Sequence, residues 1–381
     1  MDTFTIIIII IIIIASFYYM FHTMTYTMRK YFPYFVVLLV TFFYVGVNLL
    51  NDSIGSIESR HAFPKSAVPR QEQKPVKTVL QTTAAATQQI WNRPENNPSF
   101  FTPRKSVVNP LNFNVVISGD ADCVKDPPFL TVLVLSMHSS GEYRDAIRNT
   151  WGSLARNNSW PGLNITEKIK LVFLFGTARS STLNEELKAE AKRTRDIVMF
   201  DFLESYFNLT YKVLTGFKWV QNFCPETKFV MKCDEDTFVN IPKVVERLRS
   251  KEWNTKIAGP YFTNEITNRA GKYNVAVSAY PFRIYPPHVK GNIYFMPTDI
   301  ARKILNASYY MPYVNMEDAY ITGILAKSVG GINHIGLTGN DYSPARAFKG
   351  CSFIGKVASQ NILPTDARDI WLKMNSKTDC K

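Results

Sequence analysis

The chain has 381 residues, of which 46% are hydrophobic, and its formal net charge is +13. This length allows one large domain or two small ones, and the 19 Tyr and 26 Phe indicate a substantial packed core. Lys and Arg are scattered and form no dense basic block, which disfavours nucleic-acid binding; an anionic small substrate or a membrane surface accounts for the charge equally well. The five cysteines match no zinc-binding spacing, and Cys233 is our candidate for an unpaired thiol.

Two very apolar segments lie near the N-terminus. Residues 31–50 are long enough to span a bilayer and follow Arg29 and Lys30, which predicts a type II signal anchor behind a cytoplasmic tail at 1–30. Segment 4–21 contains an unbroken isoleucine run and is either a second membrane-inserted segment or upstream of the true start. A cleaved signal peptide at 31–50 is the alternative, but no clear small-x-small cleavage site follows it.

The composition changes twice after the predicted anchor. Residues 51–122 are rich in Pro, Gln, Thr, Ser and Asn without an apolar period, which predicts a flexible luminal stem. Residues 123–381 then read as the globular domain. Strands are predicted at 129–136, 169–175, 197–202, 228–233, 256–258 and 293–296, and helices at 139–151, 182–194, 209–223, 298–305 and 318–329. This alternation predicts an α/β fold with a mostly parallel sheet covered on both faces, and the region after 336 reads as irregular.

Three consecutive acids, Asp234, Glu235 and Asp236, follow directly on the predicted buried strand at 228–233. Open α/β sheets place their ligand sites at the carboxyl ends of strands. Adjacent carboxylates repel one another, and a hard divalent cation neutralises them, with a diphosphate completing its coordination shell. For an Asp-x-Asp pattern taken alone, a solvated acidic turn is the simpler interpretation.

The segment after the predicted anchor carries several N-glycosylation sequons. The sequon at Asn51 is too close to the predicted bilayer to be modified. The others agree with a luminal domain, although Asn208 is alternatively a helix cap. The predicted glycosylation sites are Asn157, Asn164, Asn208 and Asn306.

Four blocks, in order, resemble the β-1,3-galactosyltransferase family, glycosyltransferase family 31. They are EYRDAIRNTWG at 142–152, DFLESYFNLT at 201–210, KCDEDTF at 232–238, and YPP at 285–287 followed by EDAY at 317–320. The resemblance covers roughly 128–335. It implies a GT-A type, Rossmann-like α/β domain, a Golgi location, a manganese requirement and inversion of the anomeric configuration. The family's three aspartates are Asp-Glu-Asp here, and its Gly-rich stretch is reduced to HVKGN at 288–292, which leaves donor and acceptor open.

The resemblance also implies roles for single residues. Asp236 is the expected metal ligand, and Asp234 is expected to contact the metal, a metal-bound water or the ribose. Glu235 contacts the UDP-sugar or orients its neighbours. Asp318 is the expected general base, and a helix cap is the less favoured alternative, since the residue falls at a predicted helix N-terminus.

Other residues have weaker assignments. Arg144 and Arg148 lie four apart on one helix face and either bring positive charge to the UDP-sugar diphosphate or form salt bridges. Trp151 is more consistent with the core than with stacking on uracil. Lys232 is expected to support the acid cluster electrostatically, and His334 is better explained as structural than as a distant metal ligand.

The sequence therefore predicts a type II Golgi membrane enzyme. It is expected to transfer galactose from UDP-galactose, with Mn²⁺, to the 3-hydroxyl of an acceptor sugar on a glycoprotein, glycolipid or proteoglycan. One alternative changes the donor to UDP-GlcNAc or UDP-GalNAc. Another is a catalytically inactive, membrane-anchored sugar-binding protein or partner subunit.

Overall fold

A mixed β-sheet of eight strands forms the centre of the part of the chain that the structure describes. This computed structural model describes residues 90–120, 123–157, 159–343, 353 and 355–376. In spatial order the sheet contains β1 (Val115–Ile117), β6 (Ile197–Leu203), β5 (Ile169–Thr177), β2 (Leu130–Leu135), β7 (Phe229–Asp234), β12 (Ile293–Pro297), β9 (Ile257–Gly259) and β13 (His334–Gly336). Shorter strands lie outside it: β3 (Ser159–Trp160), β4 (Leu163–Asn164), β8 (Phe238–Val239), β10 (Tyr261–Phe262), β11 (His288–Val289), β14 (Tyr342–Ser343) and β15 (Ala358–Ser359).

Strand direction in this sheet is only partly as predicted. The pairings β6–β5, β5–β2, β2–β7 and β9–β13 are parallel. The pairings β1–β6, β7–β12 and β12–β9 are antiparallel, so the prediction of a mostly parallel sheet is corrected to a mixed sheet. The reason is that β12 is a short, buried apolar run, and such a run carries no information about strand direction.

Helices cover both faces of the sheet and bury its central strands β5, β2, β7 and β12, which explains their continuous apolar sequences. They are α1 (Gly141–Asn149), α2 (Leu154–Asn157), α3 (Ser181–Thr194), α4 (Leu209–Phe223), α5 (Ile241–Arg249), α6 (Thr298–Ser308), the π-helix Ala319–Leu325, α7 (Ala326–Val329) and α8 (Pro364–Ser376). One apolar layer packs α4, α6 and the π-helix against the sheet, and the other packs α1, α3, α5 and α8 against the opposite face. The result is a three-layer α/β/α arrangement.

Local sequence signals set several helix ends. The Ser180 hydroxyl accepts a hydrogen bond from the Leu183 N–H at the start of α3. The side chain of Asn240 caps α5 in the same way, and proline occupies the first turn of that helix.

The folded domain begins earlier than the predicted boundary at residue 122. The Trp91 N–H donates to the Pro281 carbonyl at 2.9 Å, and Phe101 and Leu111 are buried in the core. Strand β1 then pairs with β6 at the edge of the sheet. Residues 90–120 therefore belong to the domain rather than to a flexible stem, because a few widely spaced apolar residues anchor an otherwise polar segment.

The region after Gly336 is not irregular throughout, as the sequence suggested. Strand β15 pairs with β14 and with β8, and α8 packs against α1. Only Pro364, Ala367 and Ile370 of α8 are buried, so its apolar periodicity is weak in the sequence. Packing on α1 stabilises a helix that its own pattern barely indicates.

No helix among residues 90–376 that the structure describes combines the length and the apolarity needed to cross a membrane. The predicted anchor at 31–50 and the isoleucine-rich segment at 4–21 lie outside the described residues, as does most of the predicted stem.

A disulfide joins Cys123, just before β2, to Cys224 at the end of α4. Cys233 is buried and unpaired, as predicted, and burial raises the pKa of its thiol. Cys351 and Cys380 lie outside the described residues.

Replacing both Cys123 and Cys224 with serine is expected to lower the free energy of unfolding by about 2–4 kcal/mol, since the bond restricts the unfolded chain. The two cysteines are 101 residues apart, so the closed loop is long. Urea denaturation of the two chains measures the difference. The unaltered chain in a reducing agent is the control and should match the double variant, whereas equal unfolding midpoints with and without the disulfide would contradict the prediction.

Candidate active site

A cleft with a volume of about 660 Å³ opens at the carboxyl end of β7. Asp234 and Asp236 reach it from the end of β7, and Glu317 and Asp318 reach it from the start of the π-helix. The sheet therefore brings together the predicted metal ligands and the predicted base, which are more than 80 positions apart in the sequence. Further lining residues include Tyr206, Lys232, Phe262, Glu265, Lys272, Tyr273, Tyr285, Lys290, Gly291 and Asn315.

The acidic triplet divides between the two sides of the strand end. Asp234 and Asp236 line the cleft, whereas Glu235 turns towards the loop after β2. There the Met137 N–H donates to Glu235 Oε2 at 3.2 Å, and the hydroxyls of Ser136 and Ser140 also bond to this carboxylate. Glu235 and Asp236 lie in the turn that follows β7, and this turn directs their side chains to different sides of the strand end. The predicted contact of Glu235 with the UDP-sugar has no support in this geometry.

The environment of Asp236 suits a bound cation. Burial, and then the negative charges of Asp234 and Glu235, raise the pKa of Asp236 to about 6. Carboxylate oxygens are the ligands preferred by hard divalent ions, whose remaining ligands can be substrate oxygens and water. Within the described ranges, no group of three or more His, Cys, Asp or Glu side chains is arranged to hold a metal ion. Asp234 and Asp236 are the two acids of the triplet that line the cleft, so they are the residues that would hold such an ion.

A buried ion network joins the two acidic elements of the cleft. Lys232 Nζ lies 2.7 Å from Asp234 Oδ1 and 3.4 Å from Glu317 Oε2, and it also donates to the Gly291 carbonyl. The Tyr294 hydroxyl donates to Glu317 Oε1 at 2.6 Å. Burial raises the pKa of Glu317 to about 7, while Lys232 acts in the opposite direction. Lys232 therefore supports the acid cluster, in agreement with the sequence interpretation.

Asp318 is both a helix cap and a cleft residue. Its Oδ1 accepts from the Ala319 N–H at 2.8 Å, and its Oδ2 accepts from the Gly291 N–H at 3.0 Å. A Cβ at Gly291 would lie 3.2 Å from Glu317 Oε2 and 3.4 Å from the Asp318 Cβ, so glycine allows this close approach. Each carboxylate oxygen has a further lone pair for a substrate hydroxyl. The two interpretations of Asp318, base and cap, are therefore compatible.

Arg144 and Arg148 are held away from the cleft. Arg144 forms a bidentate pair with Glu190 at 2.6 and 2.8 Å. Arg148 forms one with Asp196, both bonds at 2.8 Å, and also contacts Glu190 at 2.7 Å. Both arginines are buried, and they link α1 to α3 and to the start of β6. The predicted role in binding the diphosphate is therefore corrected to a structural one, because the carboxylates of Glu190 and Asp196 already occupy both guanidinium groups.

Two further residues have structural roles, as the sequence favoured. Trp151 is buried in the apolar layer on the α1 side of the sheet. His334 Nε2 lies 2.6 Å from the Thr322 carbonyl, and its ring stacks on Tyr261.

Known proteins are similar to this chain over most of its length. The Galactosyltransferase family profile matches residues 142–337. The chain is 34% identical to gorilla beta-1,3-galactosyltransferase 5 over 270 residues, which is 70% of this chain and 88% of that protein. It is 31% identical to mouse beta-1,3-galactosyltransferase 1 over 294 residues, 74% of this chain and 84% of that protein.

The chain belongs to the galactosyltransferase family. It is a hexosyltransferase. Among solved structures, mouse xyloside xylosyltransferase 1 in its apo form is similar with a TM-score of 0.34 and 9% identity, over 61% of this chain and 97% of that one.

The predicted glycosylation sites of this galactosyltransferase-family chain differ in accessibility. Asn157, Asn164 and Asn306 are exposed. Asn208 is half-buried at the N-cap position of α4, and its amide donates to the Leu203 carbonyl at 2.8 Å. Modification of the four asparagines stays a prediction.

Several cleft residues of this hexosyltransferase were not identified from the sequence. Tyr206 lies within the family block at 201–210, which was a signal for it, but Lys272 and Tyr273 lie in a segment without a motif. Burial raises the pKa of Tyr206, and the nearby charges of Asp318 and Asp234 contribute to the rise.

A second ion cluster lies on another side of the cleft. His288 Nε2 lies 2.8 Å from Glu265 Oε2, and Lys290 also pairs with this carboxylate. Burial alone would raise the pKa of Glu265, but the hydrogen bonds from His288 and Lys290 lower it to about 2. A carboxylate whose pKa is lower in the folded chain than in the unfolded chain stabilises the fold when it is ionised. For Glu265 this stabilisation is fully present above the unfolded pKa of about 4.3. It is lost as the pH falls from about 4.3 towards the folded pKa of about 2.

The Glu265→Gln variant is therefore expected to be less stable than the unaltered chain, by an amount that shrinks in acid. The difference in free energy of unfolding should be largest at about pH 6 and smaller at about pH 3. Urea denaturation of both chains at several pH values measures it, and titrating groups that do not contact Glu265 cancel in the difference. A difference that stays constant over this range would contradict the assignment.

Proposed function

We propose that this hexosyltransferase transfers galactose from UDP-galactose, with inversion, to the 3-hydroxyl of an acceptor sugar on a glycan. We further propose that it uses Mn²⁺ and that its catalytic domain is of the GT-A type. The relatives named beta-1,3-galactosyltransferase support the donor and the linkage. The single observation that supports the mechanism best is the meeting of Asp236 and Asp318, from separate elements, in one cleft.

The chemistry follows from the roles of these side chains. Inversion by direct displacement requires the acceptor hydroxyl to attack the anomeric carbon from the side opposite the departing UDP. Asp318 takes the proton of that hydroxyl as the new carbon–oxygen bond forms and the bond to the diphosphate breaks. Hydrogen bonds from Gly291 and Ala319 hold the carboxylate in place for this transfer.

The acids at the end of β7 bind the leaving group. Asp236, with Asp234, would hold the divalent ion, which when bound supplies positive charge beside the departing diphosphate. The ammonium of Lys232 adds a positive charge to that of the metal ion. Its ion pair with Asp234 also keeps the aspartate side chain in position.

We also propose a Golgi location with a single-pass type II anchor. Disulfides persist mainly in oxidising compartments, and the Cys123–Cys224 bond is consistent with a luminal domain. The apolar segment at 31–50, the basic residues before it and the exposed sequons support the same orientation.

Release of UDP by the purified full-length chain tests the proposal. The assay contains Mn²⁺, UDP-galactose, UDP-GlcNAc or UDP-GalNAc, and a mixture of simple acceptors. Release from UDP-galactose, with a β-1,3 linkage in the product, is the expected result. Release only from an N-acetylhexosamine donor would retain the mechanism and change the donor, and binding of donors without release would favour an inactive sugar-binding protein.

A further inference from the structure

Two exposed tyrosines and a lysine form a cluster on the rim of the cleft. Tyr206 is 38% exposed and Tyr273 is 47% exposed, and their ring centroids are 5.9 Å apart at an angle of 68°. Lys272 Nζ lies 4.6 Å from the centre of the Tyr206 ring and 5.5 Å from that of Tyr273. Large aromatic side chains that stay exposed beside a cleft commonly mark a binding surface.

Hydrogen bonds place this cluster on the side of Asp318. The Tyr313 hydroxyl donates to the Phe207 carbonyl at 2.6 Å, next to Tyr206. The Asn315 amide donates to the Asn274 carbonyl at 2.9 Å, next to Tyr273. Tyr313 and Asn315 belong to the segment that leads directly into Asp318, so both tyrosine-bearing loops are attached to the element that carries the proposed base.

The shape and charge of the cluster suit a sugar ring. One face of a pyranose presents C–H groups, which pack against the electron-rich face of an aromatic ring. An ammonium over that ring is attracted to it and can donate to hydroxyl oxygens. Across the part of the chain that the structure describes, no ion pair links Lys272 to an acidic side chain, so its N–H groups remain available to a ligand.

We propose that Tyr206, Tyr273 and Lys272 form the platform that binds the acceptor sugar. The acceptor is a pyranose that rests its C–H face on the tyrosines and directs its reacting hydroxyl to Asp318. The inference rests on the proposed transferase function, because only that function requires the acceptor to lie beside Asp318 and opposite the leaving diphosphate. The competing occupant is the uracil ring of the donor, which also stacks on aromatic side chains.

Steady-state kinetics of the full-length chain distinguishes the acceptor sugar from the uracil ring as the occupant of the platform. The acceptors are methyl β-galactoside and methyl N-acetyl-β-glucosaminide, with UDP-galactose and Mn²⁺. Tyr206→Leu and Tyr273→Leu are each expected to raise the acceptor KM about tenfold and to leave the donor KM unchanged. Tyr206→Phe keeps the ring and should restore the acceptor KM, and Tyr310→Leu, an exposed tyrosine outside the cleft lining, is the matched control. An unchanged acceptor KM, or a rise in the donor KM instead, would overturn the platform.

A binding measurement keeps the test independent of turnover. Saturation-transfer NMR with the same methyl glycosides should show transfer from the unaltered chain to the ring C–H protons, and Tyr206→Leu and Tyr273→Leu should each weaken it. UDP binding, measured by calorimetry, should be the same in both chains. Undiminished transfer in either leucine variant, or no binding of either glycoside by the unaltered chain, overturns the platform. Absence of UDP release from every donor, with these binding results intact, counts only against the transferase proposal.

Discussion

The Asp318→Asn variant is expected to transfer sugar about 10²- to 10⁴-fold more slowly than the unaltered chain, because it lacks the group that takes the acceptor proton. The asparagine oxygen can still accept from the Ala319 or the Gly291 N–H, so the helix cap and the fold should persist. The loss should therefore appear in kcat, with little change in the donor KM. Initial rates at saturating donor and acceptor measure it.

Asp299→Asn is the matched control, since Asp299 is an exposed aspartate in the first turn of α6. Its ion pair with Lys303 lies on the surface, and such pairs contribute little to stability. The control should therefore retain full activity. If the Asp318→Asn variant transferred sugar at the rate of the unaltered chain, Asp318 would not be the general base and would serve only as a helix cap.

The Asp236→Asn variant is expected to lower the rate by about 10²- to 10³-fold, since charge stabilisation by a bound metal amounts to several kcal/mol. It should also weaken activation by Mn²⁺, seen as a higher metal concentration at half-maximal UDP release. Its thermal stability should not fall, because the Asp236 carboxylate is partly buried beside two other acids that repel it. Activity loss in a chain of unchanged melting temperature would therefore reflect the site rather than the fold.

Glu235→Gln is the control within the same triplet. The Glu235 side chain faces the loop after β2, and glutamine retains an oxygen that accepts from the Met137 N–H. This variant should keep its activation by Mn²⁺. If Glu235→Gln lost activity as strongly as Asp236→Asn, the division of the triplet between two sides of β7 would be wrong.

The central part of the site could be predicted because its signals are local. The apolar run before Asp234 marks a buried strand, and the position of three acids at its end follows from the sequence alone. The family resemblance added Asp318, whose neighbours in the sequence give no other sign of catalysis. By contrast, nothing local indicates that Lys232 lies 3.4 Å from Glu317, since the two residues come together only when β7 and the start of the π-helix are packed.

The arginines show the limit of the same reasoning. Their spacing on α1 correctly indicated one shared helix face, but the sequence did not identify what that face contacts. Glu190 lies in α3, 46 positions from Arg144, and Asp196 directly precedes β6, 48 positions from Arg148, so the packing of these elements decided the partners.

The sequence by itself determined the buried central strands, the family and the chemical types of the site residues, because strand burial and short motifs are encoded within a few consecutive positions. Only the tertiary structure decided the antiparallel direction of β12, the turn of Glu235 towards the loop after β2, the pairing of Cys123 with Cys224 and the contact of Tyr206 with Tyr273 at the cleft. Each of these depends on contacts between segments far apart in the chain. Such contacts are set by the packing of whole elements, which local propensity does not specify.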